Sequence, residues 1–189
     1  MKNKKNSMIN LAIEVAAQAH QGQVRKGTNI PYITHPYAVG ILLLQAGCAE
    51  EVVVAGLLHD TLEDTSLSLE EIRRQFGQRV ADIVLGCSEP NRALPWEERK
   101  QHTLNFLRLA PLDIRWVVCA DKLHNLRTLA YDLTLLGDQI WSRFSRGRSQ
   151  QEWYYRGIVD SLWHNLHLPH LSGSLFHQLK EEVEELFGK

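Results

Sequence analysis

The chain reads VVVAGLLHD from Val52 to Asp60. The apolar and small residues from Val52 to Leu58 predict a helix that is buried on most sides. We expect this helix to begin at Glu50 and to end near Thr61. An imidazole and a carboxylate at the end of a buried helix need partners, because burying a charged group alone is costly. A metal ion would satisfy both His59 and Asp60, although a lone histidine here would more often be a packed core residue.

Two more acidic residues follow, so residues 59–64 read HDTLED. On a continuous helix, Glu63 would lie one turn after His59, and Asp64 one turn after Asp60. Three carboxylates this close repel one another unless a cation is present, and a helix C-terminus disfavours anions. The acidic string therefore also favours a bound cation, with a solvated acidic helix end as the alternative.

The rest of the chain shows the apolar spacing of helices, with weak strand patterns, and predicts an all-α protein. Ser7 fits an N-cap, and Ser68 with Glu71 fits a capping box. No repeat or interdomain linker is visible, so residues 1–189 are predicted to form a single compact domain. The predicted helices span about Ser7–Gln21, Pro36–Gly47, Glu50–Thr61, Ser68–Gly77, Gln78–Cys87, Glu97–Leu109, Leu112–Tyr131, Gln150–Leu166 and Ser174–Phe187.

Composition excludes several classes of function. The 21 Lys and Arg residues nearly balance the 22 Asp and Glu residues, so no global field attracts nucleic acid or an anionic membrane. No apolar run reaches the roughly 20 residues of a membrane span. The first segment shows no signal-peptide core. The chain has three cysteines, which lie far apart in the sequence and do not suggest a disulfide framework. We therefore expect a cytoplasmic protein.

A later helix supplies another candidate ligand. The apolar stripe that begins at Ile114 continues at helical spacing into Asp121 and Asn125, so both polar side chains are predicted to face the core. Buried aspartate is rare without a partner. Arg127 could supply that partner instead of a metal. His35, directly before Pro36, lies at the start of a predicted helix with its ring free to point sideways.

Two histidines and two aspartates, His35, His59, Asp60 and Asp121, make a mixed nitrogen and oxygen site. Such a site suits Mn²⁺, Fe²⁺, Co²⁺ or Zn²⁺ and does not choose among them.

Four strings resemble a known family. They are AHQGQVRKG at 19–27, PYITHP at 31–36, LLHDTLEDT at 57–65 and ADKLHNLR at 120–127. In this order and spacing they are similar to the hydrolase domain of RelA/SpoT-type alarmone enzymes, within the HD-domain phosphohydrolases. The resemblance covers about residues 10–130. It leaves a helical tail at 138–189 and implies a stand-alone small alarmone hydrolase.

The resemblance implies the reaction and the site. The expected reaction removes the 3′-pyrophosphate of (p)ppGpp to leave GDP or GTP, with Mn²⁺ as the usual ion. It implies that Glu63 orients or deprotonates the attacking water and that Asp64 assists in proton handling. Arg25 and Lys26 are expected to bind nucleotide or phosphate, and Asn125 to lie near substrate and metal.

Other interpretations stay open. The same site would suit a hydrolase of an adenine alarmone, NADPH or a deoxynucleotide, because a few pocket contacts decide base preference. A non-catalytic nucleotide sensor would not need Glu63 and Asp64, and a purely structural domain would leave the four ligands unexplained. The sequence does not decide whether the chain forms a homo-oligomer. Arg143, Arg146 and Arg148 could contact the distal phosphates or belong to a solvated loop, and the sequence does not decide between these roles. Tyr154 or Tyr155 could stack on the base, but the sequence favours core packing for them.

Overall fold

A computed structural model describes residues 7–89, 91, 93–166 and 174–188. Among the described residues the regular elements are all helices, apart from one isolated antiparallel bridge between Val24 and Pro31. The all-α prediction is confirmed. None of the helices in the described ranges is both long and apolar enough to cross a membrane. Contacts divide the chain into two compact units, with the boundary between Ser88 and Glu89 in the sequence. A single domain stays a prediction.

The first unit contains six helices among its described residues. The helices are α1 Met8–Ala19, α2 Thr34–Gln45, α3 Glu50–Leu58, α4 Thr61–Asp64, α5 Leu69–Phe76 and α6 Gln78–Cys87. Helix α3 lies at the centre, packed against α1, α2 and α6. Every residue from Val52 to Leu58 is buried, as the apolar run predicts.

Two glycines allow α2 and α3 to pack closely. A Cβ atom at Gly40 of α2 would lie 2.6 Å from Leu57 Cδ2, and one at Gly56 of α3 would lie 2.3 Å from Leu43 Cδ1. Neither distance is tolerated between real carbon atoms, so a larger residue at either position would force the facing leucine, or the helix that carries it, to move. The close packing places α2, which carries His35, against α3, which His59 directly follows.

The predicted caps are present. The Ser7 side chain accepts a hydrogen bond from the Asn10 amide. Ser68 and Glu71 form a reciprocal capping box, in which the Glu71 carboxylate accepts from the Ser68 amide at 2.9 Å. Helix α5 then ends at Gly77, whose φ of 87° lies in the region that favours glycine.

The described part of the second unit contains four α-helices and one 3₁₀ segment. They are α7 Trp96–Leu107, α8 Leu112–Leu136, the 3₁₀ segment Gly137–Arg143, α9 Arg148–Trp163 and α10 Leu175–Phe187. Helix α8 packs against α10 and α9, and α7 packs against α9. The predicted helix that ended at Tyr131 was too short, since α8 continues to Leu136 and is followed by Gly137, whose φ is 57°.

A buried guanidinium links three chain segments of this unit. Arg115 is only 8% exposed and donates hydrogen bonds to the carbonyl oxygens of Arg108 at 2.6 Å, Ala110 at 2.9 Å and His164 at 2.8 Å. Carbonyls at the ends of helices carry partial negative charge, which stabilises a cation there. Arg115 thus joins the C-terminal ends of α7 and α9 to the start of α8.

Candidate metal centre

His59 and Asp60 lie where α3 ends. The His59 ring is 4% exposed, and its Nδ1 lies 2.8 Å from the carbonyl oxygen of Gly56. Because that oxygen only accepts, Nδ1 carries the proton and the lone pair is on Nε2. Nε2 lies 3.1 Å from Oδ2 of Asp60. The helix backbone therefore selects the tautomer in which Nε2 can bind a metal.

His35 reaches the same carboxylate from α2. Its side chain is 1% exposed, and its Nε2 lies 3.6 Å from Oδ2 of Asp60. The two imidazoles offer ligand atoms within 4.8 Å of each other. The helix begins at Thr34, two residues earlier than predicted, so His35 lies in its first turn. The first unit thus brings His35, His59 and Asp60 together, and this His–His–Asp group fits a divalent metal ion by its donors.

Tyr32 also contacts Asp60, and sequence reasoning did not single it out. Its hydroxyl donates to Oδ2 of Asp60 at 2.6 Å, the oxygen that both imidazoles face. The rings of Tyr32 and His35 are 6.0 Å apart between centroids. No residue pattern marks a tyrosine as a carboxylate partner; its place three residues before His35 was the one available signal.

The acidic pair lies on a separate short helix. The prediction of one continuous helix to about Thr61 was wrong, because α3 ends at Leu58 and α4 begins at Thr61. The amides of Glu63 and Asp64 both donate to the carbonyl oxygen of Asp60, at 3.2 and 3.0 Å. Glu63 is half-buried and Asp64 is exposed. The acidic pair is therefore tied through the backbone to the predicted ligand Asp60.

A side-chain bridge holds the end of α4. The Gln23 side-chain amide donates to the carbonyl oxygen of Asp64 at 2.7 Å. The amide oxygen of the same side chain, Gln23 Oε1, accepts a hydrogen bond from Nδ1 of His20, which lies 2.8 Å away. His20 is 2% exposed. This bridge connects the end of α1 to the acidic pair.

The predicted substrate residues Arg25 and Lys26 lie in the loop between α1 and α2. The Arg25 guanidinium lies over the Tyr32 ring, 5.6 Å from its centroid, and the Arg25 amide donates to Ile30 at 2.8 Å. Lys26 is exposed. Arg25 is thus held beside the residue that contacts Asp60, whereas Lys26 has no such support in the described contacts.

In the second unit, donors hold Asp121 on both of its oxygens. Asp121 is 9% exposed and lies on α8. Lys122 Nζ lies 2.8 Å from Oδ2, and the Asn125 side-chain amide donates to Oδ1 at 2.6 Å. Burial lowers the pKa of Lys122, but the charge of Asp121 and its hydrogen bond, together with the nearby Tyr154 and Tyr155, outweigh burial and raise that pKa well above its ordinary value. Asp121 is therefore a buried carboxylate beside a permanent cation.

The alternative hypothesis, that Arg127 is the partner of Asp121, was wrong. Arg127 instead donates to Glu182 of α10, at 2.6 and 3.0 Å, and to Gln178 at 2.9 Å. Sequence reasoning missed Lys122, because neighbouring residues on a helix are not expected to face each other.

The basic segment and the tyrosines have their own partners in the second unit. Arg143 donates to Asp132 at 3.0 Å, and Arg146 makes two bonds to Glu97, at 2.5 and 3.0 Å. Arg148 starts α9 and lies over the Trp141 ring, so the segment is more ordered than the predicted loop. Tyr154 and Tyr155 are 6% and 7% exposed, which confirms the packing interpretation.

Comparison with known proteins identifies the family. A model of the HD domain matches residues 12–149. The chain belongs to the HD domain family.

Among curated relatives, the chain is 41% identical over 126 residues to a GTP pyrophosphokinase of Streptomyces coelicolor, covering 65% of this chain and 15% of that protein. It is 39% identical over 120 residues to a guanosine-3′,5′-bis(diphosphate) 3′-pyrophosphohydrolase of Haemophilus influenzae, covering 61% and 18%. The chain thus spans less than a fifth of the length of these relatives.

Two solved structures are similar over most of their length. One is lmo0812 from Listeria monocytogenes, with 42% identity and a TM-score of 0.76, covering 82% of this chain and 99% of that one. The other is a metazoan ortholog of SpoT that hydrolyses ppGpp and plays a role in starvation responses. It has 25% identity and a TM-score of 0.77, and the match covers 97% of this chain and 98% of that one.

Proposed function

We propose that this chain hydrolyses the 3′-pyrophosphate of (p)ppGpp, in a metal-dependent reaction that yields GDP or GTP and pyrophosphate. The observation that carries the proposal is the convergence of His35, His59 and Asp60 beside an intact Glu63–Asp64 pair. Support also comes from relatives named as 3′-pyrophosphohydrolases and from the ppGpp-hydrolysing metazoan ortholog, which matches nearly the whole chain.

Asp121 is proposed as the fourth ligand and Mn²⁺ as the ion. Asp121 occupies the aspartate position of the ADKLHNLR string, and its largely buried carboxylate suits a cation. The donor set, two imidazoles and two carboxylates, also suits Fe²⁺, Co²⁺ or Zn²⁺. Asn125 and Lys122 then hold the Asp121 carboxylate, so Asn125 would act on the ligand as well as near substrate.

In the proposed reaction, the chain's own carboxylates handle the protons. A bound divalent ion would lower the pKa of water and polarise the phosphoryl oxygens. Glu63 accepts the proton of the water that attacks phosphorus. The bond between phosphorus and the ribose 3′-oxygen breaks, and Asp64 assists in returning a proton to that oxygen.

Arg25 and Lys26 are proposed to bind the nucleotide or its phosphates. Guanidinium groups bind phosphate through paired hydrogen bonds and also stack on flat rings. The position of Arg25 over the Tyr32 ring, beside Asp60, supports the assignment of Arg25. Lys26 is exposed, so its assignment has less structural support.

An HD hydrolase of another nucleotide is the alternative. Both pyrophosphokinase and pyrophosphohydrolase names occur among the relatives, and the metal ligands alone do not select a base. Adenine alarmones, NADPH and deoxynucleotides are the substrates to compare. A nucleotide sensor without turnover is the non-enzymatic alternative. A cytoplasmic location stays a prediction, and the question of a homo-oligomer stays open.

The test is turnover of ppGpp by metal-stripped protein before and after Mn²⁺ is added, with GDP and pyrophosphate followed separately. Release of both products in equal amounts, only with metal, is the expected result. Bound metal without any release would reject ppGpp as the substrate and direct the assay to the adenine-nucleotide and NADPH panel.

A further inference from the structure

We propose that Tyr32 is a positioning residue that supports the metal ligand Asp60 through its hydroxyl and the substrate residue Arg25 through its ring. The inference rests on the proposed function and adds a residue to which no role had been assigned. The hydroxyl donates to Oδ2 of Asp60 at 2.6 Å. That oxygen also lies 3.1 Å from His59 Nε2 and 3.6 Å from His35 Nε2.

The hydroxyl bond fixes the rotation of the Asp60 carboxylate. Asp60 follows the end of α3 and its side chain is 21% exposed, so packing alone constrains it less than it constrains the buried histidines. A hydrogen bond from a neutral donor to a carboxylate oxygen holds that oxygen in place without removing its charge. Tyr32 thus keeps Oδ2 directed toward the two imidazoles.

The backbone of Tyr32 is itself held at both polar groups. Its amide donates to the carbonyl oxygen of Gln23 at 2.9 Å, and its carbonyl oxygen accepts from the His35 amide at 2.9 Å. Its ring lies against the buried His20 ring, with 5.0 Å between centroids. Tyr32 is therefore fixed relative to the first turn of α2, which carries His35.

The ring of Tyr32 also faces a proposed substrate residue. The Arg25 guanidinium lies 5.6 Å from the ring centroid, a distance at which a cation is attracted to an aromatic face. An extended arginine in a loop would otherwise sample many rotamers. The ring keeps the guanidinium on the side of the loop where Asp60 lies.

The two roles can be separated by substitution. Tyr32→Phe removes only the hydroxyl, so it should weaken Mn²⁺ binding roughly 10- to 100-fold, the usual effect of losing a partner of a metal ligand. KM for ppGpp, measured at saturating Mn²⁺, should stay within about twofold, because the ring remains. Tyr32→Leu removes the ring as well and should also raise KM several-fold.

Mn²⁺ binding is measured by titration calorimetry on the full chain without substrate, so this readout does not depend on activity. Tyr37→Phe is the matched control, because the Tyr37 hydroxyl donates to the carbonyl oxygen of Ile13 at 3.0 Å, within the same unit. That variant loses one hydroxyl hydrogen bond and should bind Mn²⁺ like the wild type. The free energy of unfolding without metal is measured for every variant to separate positioning from stability.

The Mn²⁺ affinity of Tyr32→Phe, compared with that of the wild type, tests the role of the Tyr32 hydroxyl. Mn²⁺ affinity equal to that of the wild type, in a wild type that binds metal and turns over ppGpp, would overturn the role of Tyr32 and leave the proposed function intact. A wild type that binds Mn²⁺ but does not hydrolyse ppGpp would overturn the proposed function, while a weakened Tyr32→Phe would still support the hydroxyl role. A wild type that binds no Mn²⁺ overturns both.

Discussion

Gly56 lies so close to Leu43 that a methyl group on it would come within 2.3 Å of Leu43 Cδ1. The same glycine supplies the carbonyl oxygen that accepts from His59 Nδ1. Gly56 therefore contributes, with Gly40, to the close packing of α2 and α3, and its carbonyl oxygen also selects the tautomer of a predicted ligand. Because His35 lies at the start of α2, that packing also sets the distance between the two imidazoles.

Gly56→Ala should lower both stability and metal affinity. The added methyl group must displace Leu43, and such overpacking costs about 1–3 kcal/mol of unfolding free energy. The shift also moves His59 relative to His35, so Mn²⁺ binding should weaken. Urea unfolding and calorimetry measure the two effects.

Gly157→Ala is the control for that variant. A Cβ at Gly157 of α9 would lie 2.6 Å from Leu104 Cδ1, so the steric change is similar, but no proposed ligand is nearby in the sequence. It should lower stability and leave Mn²⁺ affinity unchanged. Equal losses of Mn²⁺ affinity in both variants would contradict a specific role for Gly56.

Asp121→Asn should abolish metal binding and turnover together. The amide keeps the shape of the side chain but loses the negative charge. Loss of a residue that only supports a metal ligand lowers metal affinity by up to roughly 100-fold, and loss of a ligand itself should lower it at least as much. Asp132→Asn is the control on the same helix, since Asp132 pairs with Arg143 at 3.0 Å. Full metal occupancy and normal turnover in Asp121→Asn would remove Asp121 from the ligand set.

Glu63→Gln should bind Mn²⁺ normally and lose most turnover. The amide cannot accept the proton of the attacking water, and general bases contribute about 100- to 10,000-fold to kcat. Calorimetry and steady-state kinetics on one preparation measure both properties. An unchanged kcat would exclude Glu63 as the base, while a loss of metal would make it a ligand instead.

Arg115→Lys should destabilise the protein without altering the metal site. A lysine cannot reach all four carbonyl oxygens to which the guanidinium donates, and unsatisfied buried acceptors should cost about 3 kcal/mol in total. Arg73→Lys is the control: its partner Glu70 is 74% exposed, and such surface pairs contribute little. A stability loss as small as that of Arg73→Lys would contradict a structural role for Arg115.

Acid should destabilise the wild type partly through Glu89. Burial raises the pKa of this carboxyl, but Lys100 and Arg99 outweigh burial and hold the pKa below its ordinary 4.5. The folded state therefore binds this proton more weakly than the unfolded state. Glu89 stabilises the fold fully above about pH 4.5, and that contribution is lost as the pH falls through the lowered pKa.

Unfolding free energies from pH 7 to pH 2 test this expectation. Glu89→Gln should be less stable at neutral pH and should show a shallower loss of stability in acid. Glu70→Gln, in the exposed pair with Arg73, should follow the wild-type curve. A Glu89→Gln curve parallel to the wild type would contradict the assignment.

The helices could be predicted because their signals are local. The apolar run from Val52 to Leu58, the Ser7 cap and the Ser68 capping box each depend on residues within one or two turns. The end of that run marks His59 and Asp60 as candidate ligands, and the family strings support them and His35; the structure brings these three residues together. What could not be predicted depends on contacts between distant residues or on unusual geometry.

Two residues illustrate this limit. Tyr32 bonds Asp60 across 28 residues, and no periodicity links a loop tyrosine to a helix end. Lys122 pairs with its own neighbour Asp121 at 2.8 Å, which helical geometry disfavours. The break between α3 and α4 was also missed, since His59 and Asp60 both keep helical dihedral angles while the helical bonding pattern stops.

The bridge from Gln23 ends on the main-chain oxygen of Asp64 and not on its carboxylate. This hydrogen bond therefore does not depend on which side chain occupies position 64. Asparagine, serine or histidine could be installed there while the loop and α4 keep their connection. Position 64 thus offers a place where the chemistry of the exposed acid can be varied step by step on an unchanged scaffold.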